Sequence, residues 1–132
     1  MKERIWESAL TENDKAVIKK GGYGKRRGFG KKPLIVVIDI QYNYVGDDKP
    51  IAEQLGDWPS GGGEVAWRAI ENTQKLLEAA RKNDIPIMYT RNVQKGIKFD
   101  SFSAKTDRDQ TKYIDGHRGT MIVDEIAPHD ND

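Results

Sequence analysis

The chain has no cysteine. Disulfides, thiolate metal ligands and a cysteine nucleophile supplied by these residues are therefore excluded. Histidine is almost as scarce, with His117 and His129 the only two. Asp115 and Asp130 stand near them, but the spacing fits no zinc pattern and solvated loop residues are the expectation, so neither a metal nor a cofactor is expected. Long apolar runs are missing as well. The longest, Leu34 to Ile38, is far too short to cross a bilayer. Met1 to Glu7 shows no apolar stretch followed by a small-residue cleavage site, so no secretory signal is expected. These absences point away from a membrane partner and suit a cytoplasmic location.

What is present is a small, highly charged chain. Its 132 residues, 36% apolar and 33% charged, fit one domain with a core of little margin. The net charge of +1 conceals an asymmetry. Residues 1–32 hold ten Lys/Arg and four Asp/Glu, a balance of +6, whereas residues 33–132 hold twelve against seventeen, a balance of −5. An arm of one sign beside a body of the other suggests electrostatic docking, on the body or on a partner. The chain thus divides into a basic amino-terminal arm, 1–32, and an α/β body, 33–132.

Within the arm, residues 11–20 read as a short amphipathic helix. Thr11 is its N-cap with Asp14 three places on, and Leu10, Ala16 and Val17 supply the apolar side. Gly21-Gly22 stops it. In the body, Leu34 to Ile38 reads as a strand buried on both faces, the kind found in parallel sheets flanked by helices. Gln41 to Gly63 reads as a long functional loop. Glu64 to Arg81 is the clearest helix, with Val65, Ala69, Ile70, Thr73, Leu76, Leu77 and Ala80 on one face. Glu64/Arg68, Glu71/Lys75 and Glu78/Lys82 form i,i+4 pairs on the other. Pro86 to Thr90 is a second buried strand, completing a βαβ unit. Gly96 to Gly119 reads as a polar excursion over the active-site edge. Two strands and one crossover leave an open edge and an uncovered face. The expected fold class is α/β: part of a Rossmann-like three-layer sandwich with a mostly parallel sheet, completed by carboxyl-terminal strands missing from the chain.

Asp39 ends the first strand, where open α/β sheets line their ligand crevice. A carboxylate there can act as a general base, or it can merely cap the following turn. Arg91, just past the second strand, could hold a substrate carboxylate through a bidentate pair. Its rival role, a surface arginine paired with an acid, is the commoner one. Asn43 and Asn92 are lesser candidates of the same kind.

The stretch Pro33-Leu-Ile-Val-Val-Ile-Asp-Ile-Gln-Tyr-Asn-Tyr-Val-Gly46 resembles the opening strand motif of the isochorismatase-like cysteine hydrolases. Trp67 to Ile70, Ile85 to Arg91 and Gly119 to Pro128 resemble that family's first helix, second strand and approach to the third. Ile5-Trp6, Leu10 to Glu12, and Gly22 through Gly30 are similar to the arm of its N-carbamoylsarcosine amidohydrolase branch. The resemblance implies that Asp39 is the aspartate of an Asp-Lys-Cys triad, that Gln41 is the residue found two places beyond it, and that Tyr44 is an aromatic wall of the substrate pocket. It implies a small amide or ureido substrate, cleaved by a thiolate whose proton the aspartate takes. The chain departs from the pattern in lacking the cysteine, and neither Lys105 nor Lys112 stands in the context of the family's lysine. A second chain could supply both residues, the polypeptide could have been cleaved or shortened, or the chain could be a non-catalytic remnant. The first two are favoured, since a βαβ unit with an open edge should not be stable alone, and an oligomer is expected.

Lys19 to Lys32 also mixes Gly, Lys, Arg, Tyr23 and Phe29 as nucleic-acid-binding segments do. It is neither a P-loop nor a dinucleotide fingerprint, because no strand precedes it. Packing on an acidic body or a neighbouring subunit is the better expectation, and nucleic acid the lesser one.

Overall fold

A computed structural model describes residues 5–96 and 109–132. It divides into two compact units, Met1–Lys31 and Lys32–Asp132. In the first, α1 (Glu12–Gly21) opens on a full capping box. Thr11 Oγ1 accepts from the Asp14 N–H, and Asp14 Oδ2 accepts from the Thr11 N–H at 2.9 Å. The Thr11 hydroxyl, donating to Asp14 Oδ2 at 2.6 Å, and after it the Thr11 N–H hold the Asp14 carboxyl below its ordinary range. The helix stops at Gly22, whose φ of 68° an L side chain would resist. Val17, read from the sequence as part of an apolar side, is exposed.

In the second unit, β1 (Ile35–Ile38) and β2 (Ile87–Thr90) pair in parallel, in register Ile35↔Ile87 through Ile38↔Thr90. α4 (Gly63–Lys82) connects them. Val37 and Ile87 from the strands and Ile70, Leu77 and Ala80 from α4 meet Tyr42, Val45, Ile122, Val123 and Ile126 in one apolar core. This is the α/β fold, with a parallel sheet, that the sequence leads one to expect.

The core face of α4 sits elsewhere than the residue pattern suggests. Ala66, Trp67, Ile70, Leu77 and Ala80 pack inward, while Val65 and Leu76 are exposed. Apolar residues two places apart cannot share one helical stripe, and packing selected the row that reaches Val37 and Ile87. The three expected i,i+4 ion pairs are absent among the described residues. Their exposed side chains gain little by closing. The strand β1 is not buried on both faces either: Val36 is 41% and Ile38 66% exposed, with Leu34 and Met88 beside them. Alternation of strand side chains puts these four on the face opposite α4, and nothing among the described residues covers it.

The expected long loop contains two helical turns, α2 (Tyr42–Val45) and α3 (Ile51–Gln54). Gln54, buried, ties this segment together: its Oε1 accepts from the Asp47 N–H and its Nε2 donates to the Asp47 and Lys49 carbonyls. Gly63 enters α4 at φ 58°, and a Cβ there would overlap the Lys49 carbonyl oxygen and Gln54 Nε2. Gly63→Ala should therefore lose about 2–4 kcal/mol, from left-handed backbone strain plus overpacking, measurable by urea unfolding. The central part of the expected polar excursion, with Lys105, lies outside the described residues. No described helix is long and apolar enough to cross a membrane.

Candidate active site

β1 delivers Asp39 to the carboxyl end of the sheet and then breaks sharply. Asp39 has φ 54°, a left-handed conformation that costs a non-glycine residue on the order of 1 kcal/mol. Its N–H donates to the Thr90 carbonyl and to Thr90 Oγ1, both at 3.2 Å. The Thr90 hydroxyl in turn donates to Asp39 Oδ1 at 2.7 Å. One carboxylate oxygen is thus held from β2, and among the described residues no donor meets Oδ2. The side chain is partly buried and reaches the surface.

Gln41 locks this arrangement. Fully buried, it donates through Nε2 to the Asn92 and Gly119 carbonyls, both at 3.1 Å, and accepts from the Asn92 N–H at 2.6 Å. The end of β1, the end of β2 and the 3-10 turn Arg118–Thr120 are pinned through one side chain. Two main-chain bonds reinforce the last link: Tyr42 N–H to Met121 carbonyl at 3.1 Å and Val123 N–H to Ile40 carbonyl at 3.3 Å.

Tyr44 stands beside the aspartate. Burial pushes its hydroxyl above the ordinary phenol range, helped by Tyr113 and by the charge of Asp39, while the bond from Asn92 opposes the shift. Asn92 Nδ2 donates to the Tyr44 hydroxyl at 2.7 Å. The Tyr113 ring lies 6.0 Å from that of Tyr44, tilted by 58°. Asp39, Thr90, Tyr44 and Asn92 therefore gather at one end of the sheet.

The other expected residues are placed differently. Asn43 is buried, its Nδ2 donating to the Lys112 carbonyl at 2.7 Å. Arg91 is exposed, with Nη1 on the Thr120 carbonyl at 3.3 Å. Lys112 Nζ donates to the Asp57 carbonyl and lies 5.0 Å over the Trp58 ring. His117 Nδ1 accepts from the Gly119 N–H at 2.9 Å and so caps the 118–120 turn. Thr90 has no local signal in the sequence beyond ending a strand, and its hydroxyl meets Asp39 only because Ile38 and Thr90 share a register.

Across residues 33–132 the chain matches the isochorismatase domain, from Pro33, two residues before β1, to Asp132. It belongs to the isochorismatase family. Searches among curated proteins and among solved structures found no match. The isochorismatase domain is that of a hydrolase of the cysteine-hydrolase type, and a partly buried carboxylate at the carboxyl end of a parallel strand suits such chemistry.

Proposed function

We propose that this chain is the aspartate-bearing portion of an amidohydrolase that cleaves a small carbamoyl, ureido or amide compound through a cysteine thioester. N-carbamoylsarcosine, giving sarcosine, carbon dioxide and ammonia, is the substrate that suits the reading best. The observation that carries it is Asp39 at the sheet's carboxyl end: Thr90 holds Oδ1, and among the described residues no donor meets Oδ2. Oδ2 takes the proton of the thiol. The thiolate attacks the carbamoyl carbon, ammonia departs with a proton, and water opens the thioester to regenerate the thiol. Tyr44 walls the pocket, with Asn43 behind it. Arg91 pairs with the substrate carboxylate.

The lysine and cysteine come from a second chain or from a segment outside these 132 residues. Two observations support that: the chain holds no cysteine, and among the described residues nothing covers the face formed by Leu34, Val36, Ile38 and Met88. Such a face is completed in parallel α/β sheets by helices and neighbouring strands. The complete enzyme is an oligomer working in the cytoplasm, where its thiol stays reduced.

The test is to capture the complete enzyme on a tagged copy of this chain and to identify its components by mass spectrometry. A polypeptide segment should appear with a lysine near its start and a cysteine on a turn leading into a helix. This chain alone should release no ammonia from N-carbamoylsarcosine. Turnover by the 132 residues alone would overturn the reading.

A further inference from the structure

The arm unit has no core of its own: none of its described residues, 5–31, is buried. A ten-residue helix without a packed face is marginal in water. Past it, Tyr23 and Phe29 stand 67% and 94% exposed among Lys25, Arg26, Arg27 and Lys31. Gly24, Gly28 and Gly30, all at positive φ with nothing near them, hold this segment open.

The body carries a patch of complementary character. Between Asp47 and Asp57 the chain places four carboxylates and one lysine. On the same segment Ile51 and Leu55, one helical turn apart, are 48% and 53% exposed. Asp48, Glu53 and Asp57 are exposed around them. The three bonds of buried Gln54 make the patch rigid. One sequence therefore holds a basic, aromatic arm and an acidic, aliphatic patch.

We infer that the arm of one copy docks on the Ile51–Leu55 patch of a second copy. Lys25, Arg26 and Arg27 face Asp48, Glu53 and Asp57, and Phe29 lies on Ile51 and Leu55. In a two-fold dimer the contact forms twice. A nucleic acid suits the arm less well, because the body's balance of −5 would repel a polyanion drawn to it. The inference stands apart from the hydrolase reading, since it uses none of the residues around Asp39.

Sedimentation velocity on the full chain tests it. At about 50 mM salt the protein should be dimeric, and its Kd should weaken by about tenfold or more at 500 mM, because exposed charge pairs are screened. Lys25→Glu/Arg26→Glu/Arg27→Glu should be monomeric, and so should Asp48→Lys/Glu53→Lys/Asp57→Lys. An equimolar mixture of the two variants should dimerise again, which misfolded chains could not do. A wild-type monomer at low salt would overturn the inference. So would a dimer indifferent to salt and to both reversals, which is the behaviour of association through the apolar sheet face. Salt-dependent capture of a single-stranded oligonucleotide by a monomeric chain would place the arm on nucleic acid instead.

Discussion

Gln41→Ala should destabilise the protein by about 3–5 kcal/mol, because it strands the Asn92 N–H and the Asn92 and Gly119 carbonyls and leaves a cavity. The orphaned Gly119 carbonyl is buried and costs on the order of 1–3 kcal/mol, whereas the Asn92 groups lie on an exposed residue and cost less. Gln41→Glu separates the hydrogen bonds from the volume. The new side chain is almost the same size, but it turns a carboxylate toward two carbonyl oxygens. Ionised, it repels both; protonated, it can donate to one. Gln41→Glu should therefore be unstable at pH 7 and recover partly as the pH falls toward 4, opposite to the usual acid response. Urea unfolding at the two pH values measures this. Recovery at high pH, or a loss under 1 kcal/mol in Gln41→Ala, would mean that Gln41 is not the pin.

Arg81→Ala should cost about as much, through a charge left behind rather than a bond lost. Arg81 and Asp132 form a bidentate pair, Nε–Oδ1 and Nη2–Oδ2 both at 2.7 Å, with only 5% of the Asp132 side chain exposed. The Tyr89 hydroxyl at 3.2 Å and the His129 N–H at 2.9 Å also donate to Oδ2. Removing the guanidinium leaves a buried carboxylate uncompensated, a loss of about 3–5 kcal/mol. The paired arginine holds the Asp132 carboxyl far below its ordinary value of 3.8, aided by the His129 N–H and Tyr89 and opposed by burial. A carboxyl depressed on folding gives stability that is present above its unfolded value and lost as the pH falls below it. Wild-type stability should thus decline below about pH 4, and Asp132→Asn should flatten that decline while being weaker at pH 7. Thermal unfolding between pH 2 and 7 reads both effects.

These two clusters show how far the sequence could be read. The strands and α4 were legible because a five-residue apolar run and a sustained helical spacing are local signals. The end of α1 was legible from Gly21-Gly22. The turns α2 and α3 were not, since four residues are too few to show a period. The uncovered face of β1 was legible from the count of elements, since one crossover helix covers one face of two strands; composition alone misled, because Val36 and Ile38 read as residues buried on both faces. At the candidate site, Asp39 stood out by ending a strand. Thr90 did not, because its hydroxyl reaches Asp39 through a pairing 51 residues apart. Gln41 was visible only as a motif position; its bonds to Asn92 and Gly119 span 51 and 78 residues. Arg91 and Asn43 have side chains suited to holding a substrate, but the fold gives each a carbonyl partner that composition could not foretell.

The most direct test of the account is the rate of ammonia release from N-carbamoylsarcosine by the complete enzyme, this chain together with the lysine- and cysteine-bearing segment, for wild type and Asp39→Asn. Loss of a general base predicts a fall of about 10²–10⁴-fold in kcat with the assembly intact. Equal rates in the two proteins would contradict the role assigned to Asp39.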